Sequence, residues 1–334
     1  MINRKVYIIT EGNSELGFGH IARCISFYDR LESLGYVVLM LIDGDISCDK
    51  LLGNRDHQYV AWHQNIAYLD YTKGNILFLD SLIATQKEVD YLQGLSPYFV
   101  VIDDFQRRLY KRALIIDWTP NVENTSKHIY NKNGINRMLL GLEYSVLRAP
   151  FVHSTDPFFR ELQSITVIMG GSDIRNLTMP IAQTIQQISP SLRVNVVLGP
   201  GVRGEENVCQ ESRLNRYYSL NAEEIKSLFL DSDIVVSAGG QTLFELAALK
   251  IPTIPIQVID NQSEDLAGLK ALGFFDEIFQ WDDPMLLEKV RNKVVSLKDK
   301  IAREKYVRSF QVKEVGKGLD KIVESLQDFC NESI

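Results

Sequence analysis

The chain begins with a short apolar run, Lys5-Val6-Tyr7-Ile8-Ile9-Thr10, and then changes period, with Ile21, Cys24, Ile25, Tyr28 and Leu31 recurring at helical spacing. The first pattern predicts a buried strand and the second a helix with one apolar face, so the residues between them form a loop. The alternation continues. Continuous apolar runs at 37–42, 76–79, 99–102 and 114–116 suit a parallel sheet covered on both faces, and 85–95 reads as a helix between two of them. Around 149–163 the pattern lapses into Pro150, His153, Ser154, Thr155 and Pro157 with charged residues, which places a linker there. A second series follows, with strands expected at 165–169, 194–198, 234–236 and 254–258 and helices at 222–230 and 242–249. The charged segment 303–329, with apolar Ile322, Leu326 and Phe329, reads as a covering helix at the end of the second domain. The expected class is α/β, with an N-terminal domain over 1–152 and a C-terminal domain over 160–334.

Composition narrows the class. A chain of 334 residues with 45% hydrophobic content can bury more than one core. A net charge of −7 with no basic stripe excludes a general nucleic-acid or membrane-surface binder, so any phosphate it holds is held locally. Cys24, Cys48, Cys209 and Cys330 lack metal-ligand spacing and read as free thiols in a reducing compartment. The first five residues lead straight into a strand, so neither a signal peptide nor a membrane span is expected, and the chain reads as soluble and cytoplasmic.

Candidate chemistry clusters after the predicted strands, where ligands collect in open α/β sheets. In Glu11-Gly12-Asn13-Ser14-Glu15-Leu16-Gly17-Phe18-Gly19-His20, Gly17 and Gly19 relax the backbone for close approach of a phosphate or sugar, and His20 arrives at a helix start. An imidazole, ordinarily titrating near about pH 6.5, suits proton abstraction. The same glycines also serve a plain strand-to-helix turn. Gly170-Gly171-Ser172-Asp173 follows one strand, Gly199-Pro200-Gly201 another, and Ser237-Ala238-Gly239-Gly240-Gln241 a third. Amides of Gly239, Gly240 and Gln241 can hold a diphosphate at a helix N-terminus. Glu245, one turn further in, either accepts from a ribose diol or forms an ordinary salt bridge. Asn261-Gln262 either donates to phosphate and sugar oxygens or caps a helix. Asp43-Gly44-Asp45 has the spacing of a metal-binding Asp-x-Asp but follows a strand end and reads as a turn.

Taken together, four stretches resemble the two-domain GT-B enzymes related to glycosyltransferase family 28, and most closely the UDP-2,4-diacetamido-2,4,6-trideoxy-β-L-altropyranose hydrolases of pseudaminic acid biosynthesis. They are Gly17-Phe18-Gly19-His20-Ile21-Ala22-Arg23, Gly141-Leu142-Glu143-Tyr144-Ser145-Val146-Leu147-Arg148-Ala149-Pro150-Phe151, Met169-Gly170-Gly171-Ser172-Asp173-Ile174-Arg175-Asn176-Leu177-Thr178, and Phe244-Glu245-Leu246-Ala247 through Asn261-Gln262. The resemblance implies two Rossmann-like domains with a cleft between them, a UDP-sugar substrate, and neither metal nor cofactor. It makes His20 the water-activating base and puts Gly17, Gly19, Arg23, Asp103, Phe105 and Tyr144 on the sugar side. It puts Gly171, Ser172, Gly239, Gly240, Gln241, Glu245, Asn261 and Gln262 around the nucleotide. Water attack opposite UDP would invert the anomeric centre.

Two positions depart from the family pattern. Glu11 stands where an aspartate is usual, and Asp103-Asp104-Phe105 stands where the family has Asp-His-Tyr, so a phenol is missing near the reacting sugar. Asp104 either supplies part of the lost function by sharing a proton with Asp103 or is a solvated loop residue. The same fold also serves inverting glycosyltransferases, in which the base deprotonates a sugar hydroxyl instead of water. A catalytically silent binding protein is the third reading, and the retained His20 argues against it.

Overall fold

The computed structural model describes residues 4–13, 16–104, 107–120, 122, 136–152, 159–199, 214–310 and 315–332. The chain forms two compact units, one from 1–148 with 316–334 and the other from 149–315.

The first unit is built on a seven-stranded, all-parallel sheet of β1 (Val6–Gly12), β2 (Val38–Gly44), β3 (His57–Tyr59), β4 (Ile76–Asp80), β5 (Phe99–Ile102), β6 (Leu114–Asp117) and β7 (Arg137–Leu140). Its spatial order is β3-β2-β1-β4-β5-β6-β7, so the order reverses between β1 and β4. Every residue of β1, β4, β5 and β6 is buried, which is why these strands read as unbroken apolar runs. Helix α1 (Gly19–Ser33) buries Ile21, Cys24, Phe27, Tyr28 and Leu31. After the short helix α2 (Asp49–Leu52), helix α3 (Gln86–Leu95) starts at a capping box in which Thr85 and Glu88 satisfy each other's backbone N–H groups.

The second unit repeats the plan with six parallel strands: β8 (Ser164–Ile168), β9 (Arg193–Leu198), β10 (Leu214–Tyr218), β11 (Ile234–Ala238), β12 (Thr253–Gln257) and β13 (Phe279–Gln280), in the order β10-β9-β8-β11-β12-β13. The reversal here falls between β8 and β11. The helices are α4 (Thr178–Gln186), α5 (Ala222–Leu230), α6 (Gln241–Leu249), α7 (Ser263–Ala271), α8 (Leu286–Ser296) and α9 (Lys300–Arg308).

The C-terminal segment departs from expectation. Its helices divide between the units: α9 stays in the second unit, while α10 (Gly318–Asn331) belongs to the first. Ion pairs Arg30–Asp320 (2.8 Å) and Lys321–Glu143 (2.9 Å) and a bridge between Val146 and Lys317 hold α10 there. Its amphipathic stripe, Ile322, Val323, Leu326 and Phe329, needed an apolar surface, and the sequence does not say which unit supplies it. The unit boundary falls at 148/149, at the start of the segment 149–163. Among the described residues no helix is long and apolar enough to cross a membrane. Cys24, Cys48 and Cys330 are buried free thiols, whereas Cys209 lies outside the described residues.

Candidate active site

The first unit gathers its titratable groups where the strand order reverses, at the carboxyl ends of β1, β4, β5 and β6. Sheet register explains the gathering: Thr10 pairs with Asp80, Asp80 with Ile102, and Ile102 with Ile116. Glu11, Asp80, Asp103, Asp104 and Asp117 therefore stand along one edge.

His20 is the second residue of α1, delivered by a loop that Asn13 and Gly17 pinch shut through a 2.9 Å backbone hydrogen bond. Gly17 has φ +88°, a left-handed conformation that a side chain would strain. The imidazole Nδ1 lies 2.8 Å from Asp80 Oδ1, and the Asp80 side chain is completely buried. Asp80 is ionised, held well below the usual carboxylate range against its burial by Arg23 and by His20. An ionised carboxylate only accepts, so a hydrogen sits on Nδ1, and in the neutral ring Nε2 is the basic nitrogen. Arg23 Nη2, 3.2 Å from the same Nδ1, is then a flanking cation and not a second hydrogen-bond donor to it.

Arg23 lies one turn along α1 and directs each of its three guanidinium nitrogens at a carboxylate. Nε reaches Asp80 Oδ2 at 2.6 Å, Nη2 reaches Asp80 Oδ1 at 2.5 Å, Nη1 reaches Asp104 Oδ2 at 2.7 Å, and the guanidinium sits 5.2 Å above the Trp118 ring. The resemblance puts Arg23 on the sugar side; in the structure these bonds tie α1 to the ends of β4 and β5. Asp104 keeps its other oxygen, Oδ1, buried without a hydrogen-bond partner among the described residues. Asp103 is completely buried and faces Arg107 and Arg108. Glu11 Oε1 accepts from the backbone of Leu82 (2.6 Å) and Ile83 (3.3 Å); its extra methylene lets it brace the loop after β4.

Asp80 and Asp117 escaped the sequence reading, although both close apolar runs at the strand ends where chemistry was sought. Asp117 is buried at the end of β6 beside Asp104; burial first, then that neighbouring charge, push its carboxyl up to about 7, against hydrogen bonds from Thr119. Tyr144 follows β7 and packs on the last helix, its ring 5.9 Å from Lys321 Nζ. Phe105 lies outside the described residues. Asp43 Oδ2 accepts from His63 N (3.0 Å) and Asp45 Oδ1 from Ser47 N (2.8 Å), so both aspartates of the Asp-x-Asp spacing organise turns.

In the second unit the glycine turns again flank the reversal. Gly170, with φ +83°, and Gly171 follow β8; a side chain on Gly199 would overlap the Gly171 backbone, so the ends of β8 and β9 approach closely. Gly171 is exposed and Ser172 half-buried. After β11, a Cβ on Gly239 would come within 2.8 Å of Leu266 Cδ1, whereas Gly240 borders open space and precedes the uncapped start of α6 at Gln241. Gln262 Oε1 accepts from Val258 N (2.9 Å), and Asn261 is exposed and does not cap α7, which Gln262 precedes. Glu245, one turn inside α6, is completely buried.

No family model matches the chain. A Helicobacter pylori protein named pseudaminic acid cytidylyltransferase and UDP-2,4-diacetamido-2,4,6-trideoxy-beta-L-altropyranose hydrolase is 25% identical over 268 residues, covering 78% of this chain and 46% of that protein. A Clostridium perfringens UDP-N-acetylglucosamine--N-acetylmuramyl-(pentapeptide) pyrophosphoryl-undecaprenol N-acetylglucosamine transferase is 28% identical over 174 residues, 51% of this chain and 48% of that one. The chain spans about half the length of the curated relatives it matches. Among solved structures, MurG of Acinetobacter baumannii superposes with a TM-score of 0.62 at 13% identity, over 97% of this chain and 99% of that one. The chain thus has the α/β fold of the GT-B glycosyltransferases, with two parallel, helix-covered sheets.

Proposed function

We propose that this chain is an enzyme acting on a nucleotide-sugar, and that it hydrolyses a UDP-linked deoxy-diacetamido sugar without a metal, releasing UDP and the free sugar for nonulosonic acid synthesis of the pseudaminic type. The observation that carries the reading is the His20–Asp80 pair, which fixes the tautomer and leaves Nε2 as a base at the sheet reversal. In the step, Nε2 takes a proton from water as its oxygen bonds to the anomeric carbon. The bond from that carbon to the diphosphate oxygen breaks, and UDP leaves with its electron pair. UDP is a good leaving group already, so one base and an anion site suffice. The second unit supplies that site through Gly171, Ser172 and the amides of Gly239, Gly240 and Gln241, with Asn261 and Gln262 beside them. The naming of the Helicobacter pylori relative supports hydrolysis.

Transfer to an acceptor alcohol is the second reading, favoured by the name of the Clostridium perfringens relative. Incubation with a panel of UDP-sugars, followed by phosphorus and proton NMR with and without acceptor alcohols, separates the two. UDP and free sugar formed in water alone establish hydrolysis; a glycoside formed only with acceptor establishes transfer.

A further inference from the structure

The carboxyl ends of β5 and β6 bring two carboxyl groups side by side. Asp103 N donates to Ile116 O at 2.9 Å, so the chain leaving β5 runs along residues 117 and 118 and puts Asp104 next to Asp117. Asp104 Oδ2 is paired with Arg23 Nη1 at 2.7 Å, whereas Asp117 Oδ1 accepts from Thr119 N at 3.0 Å and meets no cation among the described residues. The second oxygen of each, Asp104 Oδ1 and Asp117 Oδ2, is buried with no hydrogen-bond partner among the described residues.

Two neighbouring carboxyl groups with bare oxygens and one cation between them do not both ionise cheaply. Arg23 decides which keeps the charge. Asp104, bonded to the guanidinium, is the anion, and the completely buried Asp117 keeps a proton, in line with a carboxyl pushed up to about 7 by burial first and then by the Asp104 charge. The remaining charged groups around this corner are occupied. Asp103 faces Arg107 and Arg108, Arg23 reaches over Trp118 from α1, and β7 leads into the Gly141 amide, which donates to Asp117 O at 2.8 Å. On α10, which packs on β6, Asp320, Lys321 and Asp328 pair with Arg30, Glu143 and Arg137, and Glu324 is exposed.

We infer that Asp117 is a positioning residue for His20, acting through Asp104 and Arg23. This rests on the reading of His20 as the base. While Asp117 carries its proton, Arg23 bridges Asp104 and Asp80, and Asp80 Oδ1 meets His20 Nδ1 at 2.8 Å. Once ionised, Asp117 repels Asp104, whose side chain is 15% exposed and can swing toward solvent. Arg23 then loses one of the two carboxylates that fix it, and its hold on Asp80 slackens. No proton passes from Asp117 to the substrate; what is lost is the aim of Nε2.

Two pH titrations of the full chain and of Asp117→Asn test the inference, with thermal unfolding as a folding control. The first follows kcat/KM for UDP release from the UDP-sugar turned over fastest in the panel. A neutral imidazole base loses nothing as pH rises, so a falling alkaline limb has to come from another group. The parent is expected to lose about tenfold between pH 7 and 8.5, the scale of one ionisation near neutrality, whereas Asp117→Asn, which mimics the protonated carboxyl, lacks that limb. The second follows the Arg23 Nε–H resonance by NMR without substrate, assigned by its absence in Arg23→Lys. A step near pH 7 in the parent that Asp117→Asn lacks is the expected result. An alkaline limb that persists in Asp117→Asn overturns the inference, as does an Arg23 titration identical in the two proteins. If no UDP-sugar is turned over, the reading of His20 as the base fails, and the Arg23 titration still decides whether Asp117 governs that arginine.

Discussion

Arg23 and His20 share one carboxylate: Asp80 Oδ1 lies 2.5 Å from Arg23 Nη2 and 2.8 Å from His20 Nδ1. The arginine neutralises the buried charge while the histidine uses it as an orienting acceptor. The base is therefore held by a group that does not compete for its proton, since Asp80 stays ionised far below neutral pH.

His20→Asn should lower turnover by about 100-fold or more, the scale of a general base, while UDP affinity changes little. Steady-state rates set beside calorimetric binding check this. Near-normal turnover would remove His20 from the mechanism.

Asp80→Asn should damage both activity and stability. An amide can offer its N–H to Nδ1 and favour the wrong tautomer, and Arg23 would lose the ionised partner to which its clasp is fastened. Breaking a buried pair from one side typically costs about 3 to 5 kcal/mol. The folded-state pKa of Asp80 is depressed, so its contribution to stability is present above the ordinary carboxylate range and is lost as pH falls through the folded value. Equilibrium unfolding of the parent and Asp80→Asn should accordingly differ widely at pH 6 and converge in strong acid. A parallel offset across the whole range would contradict this linkage.

Asp117 works in the opposite direction. Its carboxyl stays protonated to about pH 7 in the fold, whereas in the unfolded chain it ionises near the usual aspartate value. Between those values the unfolded state binds fewer protons, so stability falls as pH rises, by about 4 kcal/mol at most once both forms are ionised. Asp117→Asn should remove this slope and raise the unfolding midpoint most at pH 8. An equal gain at pH 5 and pH 8 would show that titration of Asp117 is not the cause.

Glu245→Ala should weaken UDP by about 1 to 3 kcal/mol if the carboxylate accepts from the ribose. Because Glu245 is completely buried, the substitution also tests the fold, and Glu245→Gln, which keeps the volume, separates the two effects. Both variants binding UDP as the parent does, with only stability changed, would make Glu245 a structural residue of α6.

The interior of each sheet was legible in the chain itself. Strands buried on both faces need continuous apolar runs, and β1, β2, β4, β5, β6, β8, β9, β11 and β12 all carry them. The strands that the pattern misses, β3, β7, β10 and β13, are the four sheet edges. An edge strand is covered on one side only and can be as polar as His57-Gln58-Tyr59 or Leu214-Asn215-Arg216-Tyr217-Tyr218, so pairing with its neighbour, and not its own composition, makes it a strand. The same division holds in the candidate site. Glycine spacing and a histidine at a helix start are local features, and the sequence determined them. Which carboxylate meets that histidine depends on β4 lying beside β1, a contact between residues 60 positions apart, and only the tertiary structure decided that Asp80 holds His20 and that Arg23 pairs with Asp80 and Asp104. Burial, too, is a property of the assembled sheet: the raised carboxyl of Asp117 and the enclosed Asp103 arise from packing at the ends of β5 and β6. The last helix makes the point at the level of the whole chain, since an amphipathic stripe states that a helix must be covered while leaving open which unit covers it.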